Sequence, residues 1–206
     1  MSVHPSWELL QDGNRRWVEG RSTADAGRGA DRRAETSRSQ RPFALVLGCS
    51  DSRLPAEILF DQGVGDLFVV RTAGHVLDTA VLGSVEYAVG VLGVPLIVVL
   101  GHDGCGAVAA ATSVVDGNPA PPGNIRKIAE KIAPHVSLAR SCGAASATEI
   151  GGQHSVFTVR ALRRRSAIVR EAIGRGELAV LPAQYDLSAG TVTEVQPLAV
   201  TVAAGV

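Results

Sequence analysis

The chain has no excess of either charge: 20 Lys and Arg stand against 20 Asp and Glu in 206 residues. No overall field therefore favours nucleic acid or an anionic membrane surface. No apolar run is long enough to span a bilayer. The longest, around Val91 to Leu100, contains Gly93 and Pro95 and reads as a helix end, a turn and a buried strand. Residues Met1 to Trp7 lack the basic-then-apolar pattern of a secretory signal, so the cytoplasm is the expected compartment. Cysteine is scarce. Three residues cannot all pair within one chain, and a small disulfide-stapled scaffold is excluded. The arginines of the polar stretch before residue 42 (Arg28, Arg32, Arg33, Arg38, Arg41) have no aromatic residues between them. A solvated or subunit-contacting arm is expected there rather than a nucleic-acid site. No internal repeat is present.

What is there is globular: 46% of residues are hydrophobic and 19% charged, enough apolar material for one core. We read a single domain over 1–206, made of an N-terminal helical arm (1–41) and an α/β core (42–206). In the arm, Ser6 is expected to cap a first helix. Trp7, Leu10, Asn14 and Trp17 recur at helical spacing, and Gly20 ends the helix. From Pro42 onward, strand-like and helix-like segments alternate. Phe43–Leu47, Leu67–Val70, Leu96–Leu100 and Leu178–Leu181 are short continuous apolar runs, as expected of strands buried on both faces. Between them, helices are expected over Pro55–Phe60, Thr79–Leu92 (capped by Asp78), Ala107–Val115, Asn124–Ile132 and Ser155–Ile173. Thr191–Val195 could add an edge strand. This alternation predicts a central, mostly parallel sheet flanked by helices.

Two loops carry the chemistry. Cys49 opens Cys49-Ser50-Asp51-Ser52-Arg53, one glycine after the first strand run. His102 and Cys105 lie in Gly101-His102-Asp103-Gly104-Cys105-Gly106, one glycine after the third. Ligands of open α/β sheets bind at the carboxyl ends of strands, so adjacent central strands would bring both loops to one edge. Two thiols and an imidazole form a soft ligand set that suits Zn²⁺ and leaves one tetrahedral position open. Cys105 also precedes a helix, whose free N–H groups favour a thiolate. A phosphate cradle at Gly101–Gly106 is a poorer reading because no Gly-Lys-Ser/Thr follows. A redox pair of Cys49 and Cys105 is a third reading, without a Cys-x-x-Cys arrangement. Cys142 reads as a small buried hydrophobe. Asp51 could orient a water beside the metal, or bind the metal itself and close the site as a fourth ligand. Arg53 could hold it ionised and off the metal.

These blocks, with Leu10-Gln11-Asp12-Gly13-Asn14-Arg15-Arg16-Trp17, Gly65–Gly74 and Ser84-Val85-Glu86-Tyr87-Ala88-Val89, resemble the β-class carbonic anhydrases. Past residue 135 the resemblance is weak. The resemblance implies a zinc lyase for the reversible hydration of CO₂ to bicarbonate and a proton. One Zn²⁺ per subunit would sit on Cys49, His102 and Cys105, with a zinc-bound hydroxide positioned by the Asp51–Arg53 dyad. Gln40, Phe68 and Tyr87 match the substrate-orienting and pocket-lining positions. The resemblance further implies a homodimer or homotetramer, with each site at a subunit interface and the N-terminal helix packed over the partner. A CS₂ or COS hydrolase on the same scaffold, or a non-catalytic protein with structural zinc, are the alternatives. Thr72, His75 and Leu54 depart from common family residues. His75 is read as structural rather than as a proton relay. Val46 stands where bicarbonate-regulated members carry Trp, so that regulatory site is not expected.

Overall fold

The computed structural model describes residues 4–23 and 27–199. The parts of the expected arm and core at 1–3, 24–26 and 200–206 lie outside the described residues. Strand β1 (Ala44–Cys49) is buried at every position, as its unbroken apolar run requires. With β2 (Leu67–Thr72), β3 (Leu96–His102), β4 (Ala179–Tyr185) and β5 (Val192–Glu194) it forms one sheet in the order β2-β1-β3-β4-β5. The first four strands are parallel and β5 is antiparallel.

The pleat divides the core into two layers. Val46, Leu96, Val98 and Leu100 face a cluster with Trp7, Leu10, Leu59, Phe60, Val108 and Ile132. These come from α1 (Pro5–Val18), α3 (Ala56–Leu59) and its C-cap Phe60, α5 (Gly106–Val115) and α6 (Ile125–Ser141). Leu45, Leu47, Ile97 and Val99 face the opposite cluster, with Val81, Val85, Leu162 and Val169. That layer is built by α4 (Thr79–Gly90), α8 (Ala167–Gly174) and the end of α7 (Ala147–Arg165). The short α2 (Ala30–Thr36) buries no side chain.

Several expectations need correction. The N-cap of α1 is His4, whose Nδ1 accepts from Ser6 N at 3.2 Å. Pro5 then occupies the first turn, where it lacks only an N–H that would be unpaired anyway. Helix α6 runs through Pro134 instead of ending at Ile132, because Val136 and Ala139, beyond the proline, are fully buried. The single helix expected over Ser155–Ile173 is two. Helix α7 begins at a capping box formed by Ser146 and Glu149. It breaks at Ser166, whose Oγ accepts from Val169 N and donates to Glu86 Oε1 at 2.7 Å.

The arm also packs differently from a free arm. Trp7 and Leu10 are buried in the chain's own core. Gly13 lies so close to α3 that a Cβ there would stand 1.8 Å from the Phe60 carbonyl oxygen. Asn14 is saturated: Nδ2 donates to the Leu59 and Gly190 carbonyls at 3.0 and 2.9 Å, and Oδ1 accepts from Val192 N at 2.8 Å. Arg28 donates to the Glu57 and Gln62 carbonyls, and Arg32 to the Val64 carbonyl and to Asp66 at 2.6 Å. These arginines pin the arm to the loop before β2, so they are neither simply solvated nor held only by another subunit. Leu9, Trp17 and Val18 of α1 remain exposed.

Candidate metal centre

The direction in which successive connections wind across the sheet changes between β1 and β3. The connection after β1 leads to β2 on one side, and the connection after β3 leads to β4 on the other. That divergence opens a crevice at the carboxyl ends of the two strands. Their register pairs Gly48 with Leu100, so Cys49 and His102 are the last residues of neighbouring strands. A left-handed glycine, Gly104 at φ +63°, turns the chain so that Cys105 returns to the same point as the N-cap of α5. The ligand atoms of Cys49, His102 and Cys105 all lie within 4.8 Å of one another, and all three residues are buried. Among the described residues Cys142 takes no part in such a cluster. It is buried at the end of α6.

The donor chemistry fits a divalent cation. His102 Nδ1 lies 2.8 Å from the Asp103 carbonyl oxygen, which can only accept, so Nδ1 carries the proton. The bare Nε2 then faces the thiols, and it is buried without a hydrogen-bond partner. A histidine fixed in this way by a carbonyl is the usual arrangement of a metal ligand. Hydrogen bonding with the Cys105 thiol, helped by the Gly74 N–H, pulls Cys49 down to about 4 against the effect of burial. The same contact, together with burial, pushes Cys105 up. Burial disfavours a charge on His102, yet the Cys49 thiolate beside it raises its pKa. A cation bound by the two thiols would displace their protons.

Asp51 stands at the edge of this cluster. Its Oδ1 accepts from Arg53 N at 3.0 Å and Arg53 Nε at 2.9 Å, and its Oδ2 accepts from Arg53 Nη2 at 2.7 Å. Oδ2 also lies 4.0 Å from His102 Nε2. The hydrogen bonds from Arg53 hold the carboxyl well below the usual carboxylate range. Arg71 braces the loop from β2, donating to the Cys49 carbonyl at 2.9 Å and the Asp51 carbonyl at 2.5 Å. Sequence reasoning assigned Arg71 no role; its place beside Gly48 in the parallel register is what aims it there. Also missed was the Gly74 N–H, which donates to Cys49 Sγ at 3.3 Å. His75, expected to be structural, is 1% exposed with both ring nitrogens unpartnered.

Gln40, Phe68 and Tyr87 are brought together, but not beside the cluster of their own chain. Gln40 and Tyr87 line one cavity with Thr36, Gly65 and Leu92. The Phe68 and Tyr87 rings lie 6.3 Å apart. Phe68 pairs with Leu45 and Thr72 with Cys49. Phe68 is therefore four positions from the ligand level, about 13 Å along the strands. Tyr87 is 47% exposed on α4.

A mostly parallel α/β sheet whose switch point presents two thiols and an imidazole defines a protein built around a candidate three-ligand metal centre. The family model described as carbonic anhydrase matches residues 44–192. A carbonic anhydrase of Mycolicibacterium smegmatis is 50% identical over 187 residues, covering 91% of this chain and 90% of the relative. Carbonic anhydrase 2 of Mycobacterium tuberculosis is 49% identical over 185 residues, covering 90% and 89%. Among solved structures, a Coccomyxa β-carbonic anhydrase in complex with acetazolamide superposes with a TM-score of 0.71 at 25% identity, over 94% of this chain and 87% of that one. One of two tetrameric β-carbonic anhydrases from Sordaria macrospora gives 0.72 at 23%, over 93% and 98%, a likeness of fold. The chain belongs to the β-class carbonic anhydrase family. No helix among the described residues is long and apolar enough to cross a membrane.

Proposed function

We propose that this chain hydrates CO₂ reversibly to bicarbonate and a proton at a Zn²⁺ held by Cys49, His102 and Cys105, one ion per subunit. The observation that carries the reading is the convergence of those three donors within 4.8 Å, with Asp51 Oδ2 beside His102 Nε2. Zinc, when bound, acidifies water and supplies a nucleophile near neutral pH. The chain's own residues do the rest. Arg53 fills both lone pairs of Asp51 Oδ1 and one of Oδ2, leaving one acceptor site on the oxygen nearest the ligands. That site accepts a proton-bearing oxygen at the reacting position and orients its lone pair toward the substrate. Because Arg53 keeps Asp51 ionised, the acceptor persists across the working pH range.

Gln40, Phe68 and Tyr87 supply an apolar wall and one polar handle to the site of a second subunit. Their distance from their own ligand cluster and the exposure of Tyr87 support this, as does the family resemblance. The assembly is a homodimer or homotetramer, with α1, whose Leu9, Trp17 and Val18 are exposed, packed on the partner.

The test is metal content and stopped-flow CO₂ hydration for the wild type, Cys49→Ala and His102→Ala. Stoichiometric zinc and turnover in the wild type, both lost in each variant, are expected. Zinc without turnover would make the site structural, and a Cys49–Cys105 disulfide without zinc would make the protein a thiol redox enzyme. Turnover of CS₂ or COS well above that of CO₂ would change the substrate and not the site.

A further inference from the structure

Three of the five histidines cluster behind the ligand set and have no part in the reaction as derived above. His154, on α7, is 2% exposed, and its ring centroid lies 4.3 Å from that of His75. His154 Nε2 is 2.8 Å from the Gly74 carbonyl oxygen. A carbonyl only accepts, so Nε2 carries the proton and the neutral ring has a bare Nδ1. That Nδ1 is 2.7 Å from Nδ1 of His135, on α6. His135 is therefore the donor of this second bond, and its proton sits on Nδ1. The donors run in one direction, from His135 to His154 to the Gly74 carbonyl. Burial pushes both His154 and His135 down to about 4, consistent with two neutral rings.

The residue at the end of this chain is under constraint. Gly74 and His75 are consecutive left-handed residues, at φ +63° and +40°. A histidine there costs on the order of 1–2 kcal/mol. Such conformations persist where their surroundings over-determine them. Here a Cβ on Gly74 would stand 2.7 Å from Ile132 Cδ1 and 2.8 Å from Ala107 Cβ, so the backbone is wedged against α5 and α6. From α7, His154 holds the Gly74 carbonyl and covers the His75 ring. The product of this turn is the direction of one bond: Gly74 N–H points at Cys49 Sγ, 3.3 Å away.

We propose that His154, backed by His135, is a positioning residue of the metal centre: it holds the 73–75 turn so that the Gly74 N–H stays on the Cys49 sulfur. The inference rests on Cys49 being a metal ligand. A hydrogen bond to a ligating thiolate withdraws electron density from the sulfur and tunes the metal it binds. In a site with two thiolates, that bond offsets part of the charge they donate.

The experiment uses the full chain with cobalt(II) in the site, reading the thiolate-to-cobalt charge-transfer band, and with zinc, reading affinity by chelator competition. His154→Gln and His154→Met both fill the space, but only Gln offers an N–H near the position of Nε2. We expect Met to shift the band to lower energy and to weaken zinc binding about 10–100-fold, with Gln close to the wild type in both. His135→Phe should give a smaller shift in the same direction. The inference is overturned if Met matches the wild type, or if Gln and Met shift alike. The ligand reading fails separately, if the wild type shows no charge-transfer band or if Cys49→Ala leaves that band unchanged.

Discussion

Replacing Asp51 by Asn tests whether a single lone pair organises the reaction. Arg53 presents three N–H groups to the carboxylate, two on Oδ1 and one on Oδ2. With about four acceptor sites on an ionised carboxyl, one remains, on Oδ2, the oxygen 4.0 Å from His102 Nε2. An amide has one oxygen. If that oxygen takes the Oδ1 position and keeps two bonds from Arg53, an NH₂ group occupies the Oδ2 position. It then points a donor at Arg53 Nη2 and another toward the ligands, where an acceptor is required. If the amide flips, Arg53 loses the two bonds on the other side and the loop gives up its brace. In the first case the acceptor is lost, and in the second it is no longer held in place by Arg53. Positioned proton acceptors contribute about 10²–10⁴-fold, equivalent to roughly 3–5 kcal/mol of barrier. Asp51→Asn and Asp51→Ala should therefore retain one zinc per subunit by elemental analysis and lose at least about 10²-fold in kcat/KM for CO₂ by stopped flow. Turnover within about threefold of the wild type, in protein with full zinc, would refute the argument, because it would leave the free lone pair with no task.

Mixed subunits test the shared site. Asp51→Ala and Gln40→Ala chains should each be nearly inactive alone, whereas refolding them together should restore up to about a quarter of wild-type turnover, since half of the sites in each heterodimer regain both groups. No recovery in a mixture shown to contain heterodimers would place Gln40 in its own chain's site. Asp61 has a side chain closed to solvent and accepts from Arg16 at 2.6 Å, Ser22 and Thr23. Burial would raise its carboxyl, but Ser22, Arg16 and Thr23 together hold it well below the usual range. A carboxyl depressed in the folded state stabilises fully above its unfolded value of about 3.9 and loses that stabilisation as pH falls toward the folded value. Asp61→Asn should cost about 1–3 kcal/mol at pH 7 and show a shallower loss between about pH 5 and 2 in urea titrations. An unchanged acid slope would count against it. Asn14→Ala strands two carbonyls and the Val192 N–H and should cost about 2–4 kcal/mol in urea midpoint analysis. A loss under about 1 kcal/mol would mean that water reaches those groups.

Much of the architecture is legible in short windows of sequence. Continuous apolar runs located β1 and β3, although both strands extend further than the runs and include Cys49 and His102 as their last residues. Asp78 caps α4 as expected, accepting from Val81 N at 2.9 Å. The capping box of Ser146 and Glu149 starts α7 at Ala147, eight residues before the start expected at Ser155. Continuation of α6 through Pro134 was not legible locally, because burial of Val136 and Ala139 outweighs one missing hydrogen bond.

The residues alone determined which atoms could hold a metal. Two thiols and an imidazole, at or just past the ends of two apolar strand runs, are a matter of residue type and near-neighbour spacing. Only the folded chain decided what those atoms feel. The fork of Arg53 on Asp51 spans two residues and could be anticipated, but Arg71 reaches Cys49 across 22 positions and His154 reaches Gly74 across 80. Contacts of that reach depend on strand register and on how α7 lies against the sheet. Register and helix packing are settled by the joint burial of two apolar layers, a property of the whole chain that no short stretch of it contains.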